Sequence, residues 1–121
     1  MKKELEQTLI KAYPNLYAEY KHGFAVGDGW FLLIENLSKK LEALILELPE
    51  TRRSDFRITQ IKEKFGMLRC YMFLCTPEMD KIIQEAEAQS TKTCERCGRP
   101  GEIKENNYWL KCQCDVCMLL K

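Results

Sequence analysis

Cys94-Glu95-Arg96-Cys97-Gly98, answered near the end of the chain by Cys114-Asp115-Val116-Cys117, sets the reading of the whole sequence. Two thiolates three positions apart face one ion only if the backbone turns tightly between them. Gly98, just after the second cysteine, supplies the left-handed conformation that turns backbone N–H groups toward the sulfurs. Two such pairs predict one tetrahedral metal site with Cys94, Cys97, Cys114 and Cys117 as its ligands. Zn2+ in a structural role is the expected ion, because four protein ligands leave no open position for a reactive water.

Between the pairs, Gly101 to Glu105 and Tyr108 to Cys112 read as two short strands joined at Asn106-Asn107, and Cys114 to Lys121 can begin a helix. Knuckle, hairpin, then a helix carrying two further ligands is the order of a treble-clef zinc finger. Cys112 competes for the fourth position, but a CxC pair on a strand is the poorer geometry, so Cys112 is read as a spare thiol. Treble-clef nucleases need a histidine to activate water, and His22, the single histidine, lies far away in sequence. Base deaminases need a His-x-Glu or Cys-x-Glu unit that Cys94-Glu95-Arg96-Cys97 does not supply. No nucleophile–base pair can be assembled around one histidine, so no catalytic residue is assigned and no enzyme is expected.

Upstream, the apolar spacing predicts a helix over 2–13, with Leu5, Leu9, Ile10 and Tyr13 on one face and Pro14 as its stop. The stretch 15–29 is irregular, with Tyr17, Tyr20 and Phe24 as anchors. Asp28 is the expected N-cap of a helix over 30–48. Trp30, Ile34, Leu37, Leu41, Leu44, Ile45 and Leu48 form its core stripe, with Glu35, Lys39, Lys40, Glu42 and Glu47 opposite. Trp30 is read as entering the core rather than facing a ligand.

After a polar link over 50–55 the period changes. Residues 56–61 alternate as a half-buried strand, Phe65-Gly66 makes a turn, and 68–75 is apolar on both faces, the better-buried partner of an antiparallel hairpin. Cys70 and Cys75 are expected in the core. Thr76 as N-cap and Pro77 in the first turn open a helix to about Ser90, with Met79, Ile82, Ile83 and Ala86 as its stripe. The expected class is α+β: helices packed on a short antiparallel hairpin, with a treble-clef-like zinc module at the C-terminus. The division is 1–91 and 92–121, packed as one unit.

The 121 residues are 45% hydrophobic and 31% charged, with 19 basic against 18 acidic side chains and a formal charge of +1. That balance exerts no global pull on nucleic acid or anionic lipid. No signal-type stretch or membrane-length apolar run is present, so no membrane is expected and the free cysteines point to a reducing cytoplasm. Locally, Arg52, Arg53, Arg57, Lys62, Lys64 and Arg69 face only Asp55 and Glu63, a candidate binding surface for nucleic acid or an acidic protein. No aromatic–basic interleaving marks a stacking platform there.

Gly27-Asp28-Gly29-Trp30-Phe31, then Gln60-Ile61-Lys62-Glu63-Lys64-Phe65-Gly66-Met67-Leu68-Arg69, and then a tail with Glu85-Ala86-Glu87, Thr93-Cys94-Glu95-Arg96-Cys97-Gly98-Arg99-Pro100-Gly101 and Trp109-Leu110 occur in this order. Together they resemble a family of small uncharacterised zinc-finger proteins of phages and prophages. The likeness spans residues 25–117. In that family the last ligand is often a histidine, and Cys117 stands there in this chain. The resemblance implies an accessory role in a bacterial host cell, exerted by binding a host macromolecule. A host protein comes first, inhibition of a host defence system being one example, and nucleic-acid binding through the basic 52–69 hairpin is the alternative.

Overall fold

The computed structural model of the chain describes residues 1–106 and 108–119. Helix α1 (Lys3–Ala12) leads through an irregular segment to a 3-10 turn at Asp28–Trp30 and helix α2 (Phe31–Leu46). A second 3-10 turn, Glu50–Asp55, precedes strands β1 (Ile58–Lys64) and β2 (Met67–Met72), which are followed by helix α3 (Pro77–Ser90). Strands β3 (Glu102–Asn106) and β4 (Trp109–Gln113) and helix α4 (Asp115–Leu119) complete an α+β architecture with two separate antiparallel hairpins.

The core gathers on the stripe of α2. Trp30, Ile34, Leu37, Leu41 and Ile45 are buried against Leu9, Leu16, Tyr17, Phe24, Val26, Ile58, Ile61, Leu68, Met79 and Ile83. Cys112 of β4 belongs to the same cluster, so the C-terminal segment shares this core. Helix α3 packs on both α2 and β2. Its N-cap forms as the sequence predicts: Thr76 Oγ1 accepts from Met79 N at 3.1 Å. At its other end, Ser90 Oγ accepts from Leu68 N at 2.9 Å. That bond satisfies a backbone donor of β2 that would otherwise stand unpaired. The opposite flank of β1 is bonded by Ala25, whose N donates to Ile61 O at 3.2 Å and whose O accepts from Glu63 N at 3.0 Å.

Several expectations are corrected. Asp28 is not an N-cap: Gly27 precedes the turn without a side-chain cap, and Asp28 Oδ1 instead accepts from Lys2 N at 2.7 Å. Helix α2 therefore starts one residue later, at Phe31. Glu42 is not on a solvated face. It is buried and accepts from Leu16 N at 2.8 Å, Asn15 N at 3.3 Å and Asn15 Nδ2 at 3.1 Å. A carboxylate can be buried there because it satisfies donors left over where the chain turns out of α1.

Strand β2 ends at Met72 and is buried on one face only, through Leu68 and Cys70. Phe73, Leu74 and Cys75 are exposed, so Cys75 is no core residue. An apolar run that continues beyond its ladder has no partner layer to cover it. In the second hairpin Asn106 pairs with Trp109, and Tyr108 has a φ of 71°. The pairing puts Asn106 at the first position of the turn and not at its centre, and the Asn107 part of that expectation lies outside the described residues, as does the helix beyond Leu119.

Candidate metal centre

Three local devices bring the cysteines together. The first pair is held by a tight turn in which Cys94 N donates to Arg99 O at 2.7 Å and Gly98 N to Cys94 O at 2.9 Å. Gly98 adopts φ 83°, the left-handed value that its position required. The hairpin then carries the chain back, with Glu95 N donating to Cys112 O at 2.9 Å. Finally α4 begins at once after Cys114, so that Met118 N bonds Cys114 O at 3.0 Å and Cys117 N points at Cys114 Sγ, 3.4 Å away.

The sulfurs of Cys94, Cys97, Cys114 and Cys117 consequently lie within 4.8 Å of one another, with Cys97 Sγ and Cys114 Sγ 3.7 Å apart. None of these thiols is tied up in a disulfide. Cys94 and Cys117 are buried and Cys97 faces outward, so the cluster is closed on one side by protein and opens at its rim. Cys112 is buried in the hydrophobic core and is not part of the cluster.

Electrostatics inside the cluster are uneven. Burial pushes the Cys94 thiol up, but N–H groups of Cys114, Cys97 and Arg96 outweigh it and hold the thiol at about 6. The Cys117 N–H lowers Cys114 as well. Cys117 is pushed up to about 12, by burial first and then by the other sulfurs of the cluster. The N–H donors favour thiolate at Cys94 and Cys114, while burial and then the neighbouring sulfurs disfavour it at Cys117.

The cluster sits on the loop before α2, through residues whose role the sequence reading did not reach. Gly27 N donates to Glu95 Oε2 at 2.8 Å, Gly29 N to Glu95 O at 2.8 Å, and Trp30 Nε1 to Thr93 O at 2.9 Å. A Cβ at Gly27 would meet Glu95 O at 2.3 Å. The Gly-Asp-Gly-Trp run thus lets backbone approach backbone, and the second backbone is the knuckle itself. The signal was in the sequence as two glycines flanking Asp28; their target was not.

The six basic residues of 52–69 differ in what they contact. Arg53 donates to Leu48 O at 3.1 Å and Leu46 O at 3.0 Å, serving the C-terminal end of α2. Arg52 pairs with Asp55 at 3.4 Å, and Arg57 pairs with Glu19 at 3.7 Å and lies 4.3 Å from the Phe73 ring centroid. Lys62 and Arg69 are cross-strand partners, and Lys64 lies two positions along on the same hairpin face. His22 is exposed and meets Tyr20 edge-on at 6.2 Å. No helix among the described residues is long and apolar enough to cross a membrane.

Comparison with protein-family models, curated proteins and solved structures found no match to this chain. What the fold and site define is therefore an α+β protein with a four-cysteine cluster able to hold a metal ion.

Proposed function

We propose that this chain is a non-catalytic binding protein whose C-terminal segment is a treble-clef-type structural zinc module. The observation that carries the reading is the convergence of four cysteine sulfurs within 4.8 Å. Four soft thiolates that can close a tetrahedron suit Zn2+ above the harder divalent cations, which prefer oxygen ligands. The order of knuckle, hairpin β3–β4 and helix α4 supports the treble-clef reading. Cys94, Cys97, Cys114 and Cys117 would hold the ion, and its chemistry there is architectural, because the ligand set leaves no site for water.

Within that reading the ion secures the knuckle to the Gly27–Trp30 loop and holds the β3–β4 hairpin beside β1–β2. The role is accessory: contact with a host macromolecule in a bacterial cell, a host protein first, as the family resemblance implies. Inhibition of a host defence system is one form such a contact takes. The nucleic-acid alternative rests on the Lys62, Lys64 and Arg69 face, since Arg52, Arg53 and Arg57 are engaged within the fold.

Elemental analysis of the reduced, purified chain tests the foundation. The expected result is about one zinc per chain, with far-UV and near-UV signals that change on chelation. A chain that binds no transition metal would falsify the reading. Retention on mixed DNA and RNA separates the partner classes: a protein binder shows none at low salt, whereas a nucleic-acid binder is retained and released steeply as salt rises.

A further inference from the structure

We infer that the cleft between the two hairpin tips is a docking site for a protein segment that is acidic and carries one large apolar side chain. The inference rests on the reading of the chain as a binding protein and names the surface and the partner chemistry.

Lys62, Lys64 and Phe65 form one wall and Tyr108, Trp109 and Leu110 the other, around a cleft of about 450 Å³. That volume is within the ordinary range for pockets that take a small ligand or an anchoring side chain, about 300–1,000 Å³. The aromatic walls are wet: Phe65 is 65% exposed, Trp109 71% and Tyr108 96%, whereas Trp30 is fully buried. Exposed tryptophan and tyrosine around a concavity have the composition of the energetic centre of a protein interface.

The backbone under these rings is unusual. Phe65 has a φ of 54° and Tyr108 a φ of 71°, left-handed values that turns normally give to glycine or asparagine. Each hairpin therefore places a bulky aromatic ring where a smaller residue would be less strained, and both rings line the same cleft. Two of the three described non-glycine residues with positive φ thus line this cleft, the third being Glu19, and such strain points to function when the ring contributes nothing to the core.

Charge selects the partner. Glu63, the acid of the cleft, is engaged by Lys111 at 3.2 Å and by Gly66 N at 2.8 Å. Lys62 and Lys64 have no acidic partner among the described residues, so the unbalanced charge at the rim is positive. A single-stranded nucleic acid fits less well. Two lysines neutralise few phosphates, Glu63 lines the path, and Lys64 Nζ, 5.5 Å from the Phe65 centroid, covers a face on which a base would stack. The Glu63–Lys111 bond ties β1 to β4, the strands of the two hairpins that carry the walls of the cleft.

Selection of a displayed library of random twelve-residue peptides on the zinc-loaded chain tests this. Enriched peptides should be rich in Asp and Glu around one Leu, Phe or Trp. A selected peptide carrying Leu or Phe should shift the emission of the exposed Trp109 to the blue. Phe65→Asn and the double variant Lys62→Glu/Lys64→Glu should each weaken binding at least about tenfold. Phe65→Asn should do so with a melting temperature no lower than the parent's, which separates lost contact from lost fold.

Several results overturn the inference: no enrichment, enrichment without an acidic bias, or equal binding by the variants. So does a twelve-nucleotide oligothymidylate that binds in place of the peptides and is lost in the same variants, which makes the cleft a nucleic-acid platform. Any of these with one zinc per chain removes the docking site alone. Absence of zinc removes the reading beneath it.

Discussion

Gly29 lies directly against Cys94: a Cβ at Gly29 would stand 2.3 Å from the Cys94 carbonyl oxygen. The obstacle is backbone, and no rotamer change can clear it. Gly29→Ala must therefore push the knuckle away from the loop and weaken the 2.8 Å bond from Gly29 N to Glu95 O. The expected cost is about 2 kcal/mol or more, read as a lower urea midpoint, together with faster metal transfer to a chelator. An unchanged midpoint would mean that the two segments do not hold each other.

Cysteine substitutions should separate into two kinds. Cys97→Ser removes one proposed ligand at the outer rim of the cluster, where the side chain has little packing role, and should abolish metal binding and cost the order of the C-terminal segment. Cys112→Ala should keep about one metal per chain and lose only about 1 kcal/mol of core packing, since Cys112 is fully buried in the apolar cluster. Metal loss in the alanine variant, or full metal in the serine variant, reverses the ligand assignment.

Glu42 is a second point of high consequence. Replacement by alanine strands Leu16 N in a buried position, removes the partner of Asn15 and leaves a void beside α2. A loss of about 2–4 kcal/mol is expected. Hydrogen exchange should show it first as lost protection at Leu16. Equal stability of Glu42→Ala and the parent would show that water replaces the carboxylate without penalty.

The sign of the pH response follows from Cys94. Its folded value of about 6 lies below the ordinary thiol value of 9.0, so between those limits Cys94 holds fewer protons in the folded chain than in the unfolded one. That stability is present above 9 and is lost as pH falls through 6. Metal binding acts in the same direction, because only thiolates are ligands. Titration with a chromogenic chelator should record metal release that increases as pH falls, because protons compete with the metal for the thiolates. Release that does not vary between pH 4 and 8 would contradict a thiolate site.

Much of this was legible from local chemistry. The CxxC pairs and Gly98 picked out the four cysteines that converge, because a CxxC turn is a short-range object. Thr76-Pro77 announced the start of α3 for the same reason: a cap joins residues three apart. Periodicity placed the core stripe correctly at Trp30, just before α2, and at Ile34, Leu37, Leu41 and Ile45 along it. It failed at Glu42, where the amphipathic pattern called for solvent, because the donors that Glu42 serves lie 26 and 27 residues earlier. Asp28 failed similarly, its partner Lys2 being 26 residues away. A side chain that answers a distant need looks ordinary in its own helix or turn.

The chain's own letters determined the α+β class, the helix over the α2 stripe, the first hairpin's turn at Phe65-Gly66, and which cysteines belong together. All of these depend on contacts within a few residues or on one repeating period. Only tertiary packing decided what the Gly27 and Gly29 backbone lies against, that Cys112 goes to the core, and which partners Arg53 and Arg57 take. It alone set Phe65 beside Tyr108 and Trp109, which are more than forty positions apart. Close approach in space carries no periodic trace, so the surface that most resembles a binding site is written in two hairpins that do not announce each other.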